Sequence, residues 1–220
     1  RVRLKISLVG TIFLTNHITT IPRCYHKIAP RFYIQLYMID IADIYSHYYT
    51  PGAPITQLVW SHCRQVARLS VEVAQRCSQL HIDTVFLYEA AMLHDIGVFR
   101  TNAPSILCQG DAPYMQHGII GAELLRAEGL PAHARVCETH IGVGLTAQEI
   151  VQQGLPLPHR DMLPVTLEEK LVCYADNFFS KSRPEVMRTY AQVRDAVARF
   201  GEENLRRFDE LTQLFGKINE

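Results

Sequence analysis

From Met38 onward, hydrophobic residues recur at steps of three and four, which is the spacing of one face of an α-helix. The clearest case lies in residues 57–77, where the pattern predicts a helix that packs against a core. His62 lies beside this apolar stripe. No segment after residue 40 shows convincing strand alternation, so the pattern predicts an all-α fold. The stripe consists of Val59, Cys63, Val66, Ala67, Ser70, Val73, Ala74 and Cys77.

Capping residues and helix breakers divide the rest of the chain. Gly129 and Pro131 follow one periodic segment, as a C-terminal glycine followed by a proline should. Thr146 and Thr166 each precede a glutamate by three residues, the spacing of a capping box, so helices should begin near residues 147 and 167. The other predicted helices cover residues 84–96, 114–128, 131–140, 185–200 and 202–215.

Residues 1–37 form an N-terminal extension that we leave out of the chemistry. They begin at Arg1 and precede the first methionine, Met38. The segment has a basic head and an apolar stretch, but the stretch is too short to span a bilayer and no A-x-A-like site follows. It is either sequence upstream of the natural start, or a leader or extra docked segment. The main domain is then 38–220, with a metal-site core at about 57–183 and C-terminal helices at 184–216.

The composition is that of one globular domain in a reducing compartment. The 220 residues are 48% hydrophobic and 20% charged, which suffices for one sizeable core. The six cysteines form no CxxC pair, and four of them lie among apolar residues at helical spacing. This favours buried thiols over a disulfide framework, and we expect a cytoplasmic protein.

The formal net charge of zero hides an asymmetry. Residues 1–39 carry six basic side chains and no acid, so the rest has 16 basic and 22 acidic residues, a net charge of −6. Binding to nucleic-acid phosphates needs clustered Lys and Arg, so this acidic body argues against a broad nucleic-acid surface. It leaves a small phosphorylated substrate possible. We expect no membrane partner, and the sequence does not indicate an oligomeric state.

Candidate chemistry starts at His94 and Asp95, which end an otherwise apolar helix. Burying such groups without partners costs several kcal/mol, about 2–7 for an unpaired polar group. A His-Asp dipeptide alone is a weak signal, because short motifs recur by chance. Other helices, however, supply further ligand types on their inner sides: His62, His117, His140 and Asp176.

A shared metal site would satisfy these groups together. Imidazole and carboxylate suit Fe, Mn, Zn, Co or Ni, and six ligands are more than one tetrahedral ion needs, so one or two divalent ions are expected. A polar network without metal is the alternative. His117 could instead face water and His140 could be a satisfied core imidazole, and in either case the site would hold one ion.

Five segments together resemble the successive motifs of the HD superfamily of metal-dependent phosphohydrolases, in the order that this family presents them. They are HCRQVARLSVEVA, AAMLHDIG, HGIIGAELL, ETHIGVG and LEEKLVCYADNFFSKS. The resemblance covers about residues 57–183. It is closest to the small HDIG-type proteins, and it implies a compact helical bundle of the HD-domain type.

The resemblance also implies roles for individual residues. One metal would be held by His62, His94, Asp95 and Asp176, and Asp95 would bridge to a second held by His117 and His140. A hydroxide between the metals would attack phosphorus, with His94 and Asp95 at the catalytic centre. Physically this is reasonable, because metals make hydroxide available near neutral pH and neutralise charge on phosphoryl oxygens.

One position departs from the family pattern. Many catalytic relatives have a lysine after HDIG or HDxx, whereas this chain has Val98. The GYP part of the HD-GYP signature is absent too, so specificity for cyclic dinucleotides is not carried over. Arg100, Arg160 and Lys181 are the basic residues that we expect to contact substrate in its place, although each could be a solvated surface charge.

Three functions follow from these observations. The first is a phosphohydrolase that hydrolyses a small phosphate ester or nucleotide. The second is a di-iron oxygenase of the inositol-oxygenase type, whose ligand set resembles the same residues. The third is a non-catalytic sensor that binds metal and nucleotide without turnover. Residues 99–116 form a loop rich in turn formers, which is placed to cover the metals, and the sequence leaves open whether it is a lid.

Overall fold

The computed structural model describes residues 38–183 and 185–220, so the predicted N-terminal extension lies outside the described residues. Nine α-helices and one two-stranded ladder occur in these ranges, which confirms the all-α class. The helices are α1 (Ile41–Tyr48), α2 (Pro54–Arg76), α3 (Thr84–Leu93), α4 (His117–Ala127), α5 (Pro131–Thr139), α6 (Ala147–Gln152), α7 (Leu167–Asp176), α8 (Tyr190–Ala198) and α9 (Glu202–Phe215).

Helix α2 forms the centre of the core. Pro54 opens it at a position where the missing N–H costs nothing, three residues before the predicted start. Its predicted apolar stripe is buried throughout, and His62 shares the buried face. The helix packs most extensively on α3 and also contacts α7. The His62 side chain lies near the C-terminal ends of both helices.

Caps fix where the shorter helices begin. Thr146 and Glu149 form the predicted capping box of α6. Thr166 likewise accepts from Glu169 N at the start of α7, but the Glu169 carboxylate accepts from Val165 N at 2.8 Å. The second predicted box is therefore only half formed, because the Glu169 side chain accepts from the backbone of Val165 instead of that of Thr166.

The structure differs from the sequence prediction most clearly in two segments. In addition, α3 ends three residues before the predicted residue 96, and α4 begins three residues after the predicted residue 114. The helix predicted for 185–200 begins at Tyr190, because Thr189 and Gln192 form a capping box there. Before it, the Arg188 backbone N–H donates to Phe178 O at 2.8 Å, a bond that a continuous helix would not make. Within the loop 99–116, β1 (Asn102–Ala103) pairs antiparallel with β2 (Cys108–Gln109), a ladder too short for the sequence pattern to predict.

Tyr45 of α1 and Tyr49, directly after this helix, hold the end of α3 and the turn that follows it. The Tyr45 hydroxyl donates to Met92 O at 2.8 Å, and the Tyr49 hydroxyl donates to Ile96 O at 3.1 Å. Both rings are buried, as expected for aromatic residues that cover a core. They satisfy carbonyl groups on either side of the His94–Asp95 pair, so α1 stabilises the turn that carries it.

The five cysteines in the described part of the chain are free and buried, which agrees with the prediction of reduced thiols. The sixth, Cys24, lies outside the described residues. Within residues 38–183 and 185–220, no helix combines the length and apolar character required to traverse a lipid bilayer.

Gly97 marks the closest approach between the turn after α3 and helix α4. A Cβ added at Gly97 would lie 2.3 Å from Gly121 N and 2.4 Å from His117 O, both of them backbone atoms. The φ of Gly97 is −84°, which any residue adopts, so contact rather than conformation requires glycine here. At Gly121, by contrast, an added Cβ would meet its nearest neighbour at 3.2 Å.

We predict that Gly97→Ala destabilises the protein by about 1–3 kcal/mol, because backbone must move to relieve the overlap. Gly121→Ala, in the same helix contact, should cost clearly less. The free energy of unfolding in urea measures both changes. Equal losses in the two variants would contradict the packing described here.

Candidate metal centre

Six candidate ligands converge in the interior of the bundle. His62 comes from within α2, whereas the other five lie at helix ends. His94 and Asp95 follow α3, His117 begins α4, His140 follows α5 and Asp176 ends α7. The ends of three helices that meet here are C-terminal ends, whose partial negative charge favours a cation.

The first group of ligand atoms surrounds one point. His62 Nε2 lies 2.9 Å from Asp176 Oδ1 and 3.3 Å from Asp95 Oδ2. His94 Nε2 lies 3.4 Å from each of the same two oxygens. Ligands about 2.0–2.2 Å from one ion are separated by about 3 Å, so this spacing fits a common metal ion.

The second group uses the other oxygen of Asp95. His117 Nε2 lies 3.4 Å and His140 Nε2 lies 3.5 Å from Asp95 Oδ1. Each carboxylate oxygen of Asp95 therefore faces a different pair of imidazoles. This is the arrangement that a carboxylate bridging two ions requires.

Hydrogen bonds fix the tautomer of three imidazoles. In His94, His117 and His140, Nδ1 lies 2.6, 2.7 and 2.8 Å from the carbonyl oxygen three residues earlier. A carbonyl only accepts, so Nδ1 carries a proton, and in the neutral imidazole Nε2 keeps its lone pair. The Nε2 atoms of His117 and His140 are 3.0 Å apart, and two lone pairs at this distance repel unless a cation lies between them.

Apart from the Lys181 ammonium beside Asp95 Oδ2, the same atoms have few other partners. His62 Nε2, His94 Nε2, Asp95 Oδ1 and Asp176 Oδ1 are buried without a hydrogen bond of good geometry among the described residues. Unpaired buried polar atoms are rare in folded proteins, because each costs about 1–3 kcal/mol. Their convergence fits the donor set of a divalent transition metal.

The electrostatics differ among the imidazoles. Burial alone would lower the pKa of His94, but the Asp95 carboxylate raises it well above its usual value, so a metal ion would have to displace the His94 proton. Burial lowers the pKa of His117 to about 3, which keeps it neutral as a metal ligand must be. Burial alone would raise the pKa of Asp95, but the Lys181 ammonium and His94 hold it well below its usual range. Lys181 Nζ lies 2.8 Å from Asp95 Oδ2, so Lys181 supplies positive charge at the edge of the cluster.

A cavity of about 370 Å³ adjoins the ligands. Asp176 and Lys181 form its inner wall, and Ser105 and Tyr114 come from the loop 99–116. That loop therefore forms part of the cavity wall. The remaining lining residues are Ala103, Ile106, Phe179, Ser180, Ser182 and Arg188.

The three basic residues predicted to contact substrate lie in different places. Lys181 contacts Asp95 and lines the cavity. Arg160 pairs with the buried Glu138 at 2.7 Å, and Arg100 lies over the Phe99 ring. A substrate role for Arg100 and Arg160 stays a prediction.

Some neighbours of the cluster were not singled out from the sequence. The thiol of Cys63 lies within 4.8 Å of ligand atoms of His94 and Asp95, although it belongs to the apolar stripe of α2. Its position directly after His62 was the available signal, because both residues fall on the buried side of one helix. Arg188 was not identified either, since no periodic or motif position marks it.

The match to a known protein family covers the part of the chain that carries the candidate ligands. A family model described as "HD domain" matches residues 59–180. An uncharacterized protein of Methanocaldococcus jannaschii is 36% identical over 132 residues, which span 58% of this chain and 70% of that protein. No solved structure matches significantly.

Two further relatives are named tRNA (cytidine(56)-2′-O)-methyltransferase. The one from Thermoplasma volcanium is 34% identical over 121 residues, covering 54% of this chain and 31% of the enzyme. The one from Picrophilus torridus is 33% identical over 127 residues, covering 57% of this chain and 33% of the enzyme. The chain thus spans about a third of the length of these methyltransferases.

We predict that a bound divalent ion stabilises the wild-type protein and that Asp95→Asn removes this effect. At an ion concentration of about 100 times the Kd, the stabilisation is about 2.7 kcal/mol, which corresponds to a Tm increase of about 5–10 °C. Thermal unfolding with EDTA and then with Mn²⁺ or Zn²⁺ measures the shift. Asp195→Asn, an exposed carboxylate on α8, is the control and should keep it. A shift of the same size in Asp95→Asn would place the ion elsewhere.

Proposed function

The chain belongs to the HD domain family, and on that premise we propose that it is a metal-dependent phosphohydrolase of a small phosphate ester or nucleotide. The observation that carries the proposal is the position of Asp95, whose two oxygens each face a separate pair of imidazoles. A site for two ions beside a cavity with a lysine on its wall suits phosphate chemistry.

Each proposed ion has a defined set of residues. His62, His94, Asp95 and Asp176 would hold the first, and Asp95, His117 and His140 would hold the second. When bound, such ions make water nucleophilic near neutral pH and neutralise charge on phosphoryl oxygens. The protein positions the ligands through the α2 core face, the helix ends and the Nδ1 hydrogen bonds.

Lys181 is the residue that we propose contacts the substrate phosphate. Val98 occupies the position where many relatives have lysine, so the family's usual cation is missing there. Lys181 reaches the cluster from the loop after α7 and lines the cavity, which brings an ammonium group to the same site from another element. A fixed cation beside the ligands favours an anionic substrate.

The Lys181 ammonium group also helps to distinguish the hydrolase from the oxygenase and the sensor. The oxygenase and the sensor would use the same ligands, but an ammonium group on the cavity wall favours a phosphate over a neutral polyol. Methyl transfer is not proposed, because the chain spans only about a third of the relatives so named.

We expect wild-type protein with Mn²⁺ to release phosphate from a panel of nucleotides and p-nitrophenyl phosphate. Asp95→Asn should lower the rate by about 10³-fold or more, because it removes the ligand shared by both ions. Asp195→Asn should match the wild type. Oxygen consumption is recorded in parallel, with Fe²⁺ in place of Mn²⁺.

Equal phosphate release by wild type and Asp95→Asn would refute the proposal. Oxygen uptake without phosphate release would support the oxygenase. Metal binding with neither activity would support the sensor.

We further expect Lys181→Met to lower kcat/KM by about 10- to 100-fold, the usual value of a charged hydrogen bond to phosphate. The Tm increase on metal addition should persist, since Lys181 is not a proposed ligand. Lys217→Met, which removes an exposed lysine near the C-terminus, is the matched control. Loss of the metal-dependent Tm increase in Lys181→Met would show instead that Lys181 organises the ligands.

A further inference from the structure

A second cavity continues outward from the one beside the ligands. It measures about 500 Å³ and shares Ser180, Ser182 and Arg188 with the inner cavity. We call the two together the basic groove. Its outer part is completed by Arg183, Val186, Gln192, Ala196 and Arg199.

The outer part of the basic groove is positively charged. Arg183, Arg188 and Arg199 line it, and no carboxylate is among its lining residues. All three arginines are exposed, and within residues 38–183 and 185–220 none of them has a carboxylate within 4 Å. Since residues 40–220 carry a net charge of −6, this is a local exception to an acidic body.

The contrast with neighbouring arginines supports a role for this charge. On helix α8, which ends directly before Arg199, Arg194 donates two hydrogen bonds to Asp209, at 3.0 and 2.9 Å. Guanidinium groups that share a concave surface repel one another, and a multivalent anion relieves that repulsion through planar paired hydrogen bonds. Unpaired arginines in a groove therefore fit an anionic ligand better than an exposed structural role.

The backbone that carries these groups is anchored to the ligand site. The chain from Ser180 to Arg183 forms a turn closed by an Arg183 N–H to Ser180 O bond of 3.0 Å. This turn begins four residues after Asp176 and also carries Lys181. The Arg188 carbonyl accepts from the Asn219 side chain at 2.9 Å. One short segment thus presents Lys181 to the ligands and Arg183 and Arg188 to the outer groove, whereas Arg199 comes from the end of α8.

We infer that the outer groove binds a second phosphate group of the substrate. The substrate class is then a nucleotide or related small molecule with at least two phosphates, of which one lies at the ligand cluster and another at Arg183, Arg188 and Arg199. This inference rests on the proposed function and specifies its substrate. It concerns residues outside the candidate metal ligands.

The first experiment compares matched substrates. Adenosine 5′-monophosphate carries one phosphate, whereas adenosine 5′-diphosphate and adenosine 3′,5′-bisphosphate carry two. The double variant Arg183→Gln/Arg199→Gln should lower kcat/KM for at least one two-phosphate compound by about 10-fold or more. The value for the monophosphate should change less than about 2-fold. Arg194→Gln, on helix α8, is the control and should leave the ratio of kcat/KM values for the two-phosphate compounds and the monophosphate unchanged.

The second experiment measures binding without turnover. Isothermal titration in EDTA uses tripolyphosphate and orthophosphate as probes of the full chain. We expect tripolyphosphate to bind more tightly than orthophosphate, and the double variant to weaken it by about 10-fold. Circular dichroism confirms that the variant is folded.

The two experiments separate the inference from the proposed function. Unchanged kcat/KM ratios and unchanged tripolyphosphate binding in the double variant would overturn the inference that the groove binds a second phosphate, even if phosphate release continues. If the wild type releases no phosphate but the double variant loses tripolyphosphate binding, the phosphate-binding role of the groove is supported and the proposed hydrolase activity is rejected. A larger loss of affinity for a single-stranded oligonucleotide than for tripolyphosphate would overturn the small-molecule assignment.

Discussion

The central constraint in this protein is the convergence of six ligand side chains inside the bundle, five of them buried and Asp176 partly buried. An apolar bundle does not tolerate unpaired imidazoles and carboxylates, yet the ends of α3, α5 and α7 bring them together with the start of α4 and the middle of α2. The helix ends provide carbonyl groups that orient the rings, and the glycine at position 97 lets the turn that follows Asp95 lie directly on α4. The fold is therefore organised around the electrostatic requirements of this cluster.

Much of the fold was predictable, because helix boundaries depend on local chemistry. The apolar stripe of α2 and the threonines before α6 and α7 act within a few residues of the positions that they determine. The start of α8 was predicted too early because the amphipathic pattern continues before Thr189, and the cap decides the boundary only where its hydrogen bonds form.

The candidate site was predictable in its residues but less so in its surroundings. Ligand types recur at motif positions, so His62 and Asp176 could be identified although 114 positions separate them. The contact of Lys181 with Asp95 depends on how the chain turns after α7, and the groove depends on where an irregular segment leads Arg188. Neither follows from periodicity, because loops are fixed by tertiary contacts.

The two tyrosine hydroxyls that hold the end of α3 have a practical meaning for fragment choice. The family match runs from residue 59 to 180, but Tyr45, Tyr49 and the C-terminal helices lie outside it, and Tyr174 bonds to Gly216 O at 2.9 Å. A fragment trimmed to the matched segment would leave the carbonyls beside the His-Asp turn bare and open the core to solvent. Anyone grafting this module into a fusion protein should therefore transfer α1 to α9 as one piece.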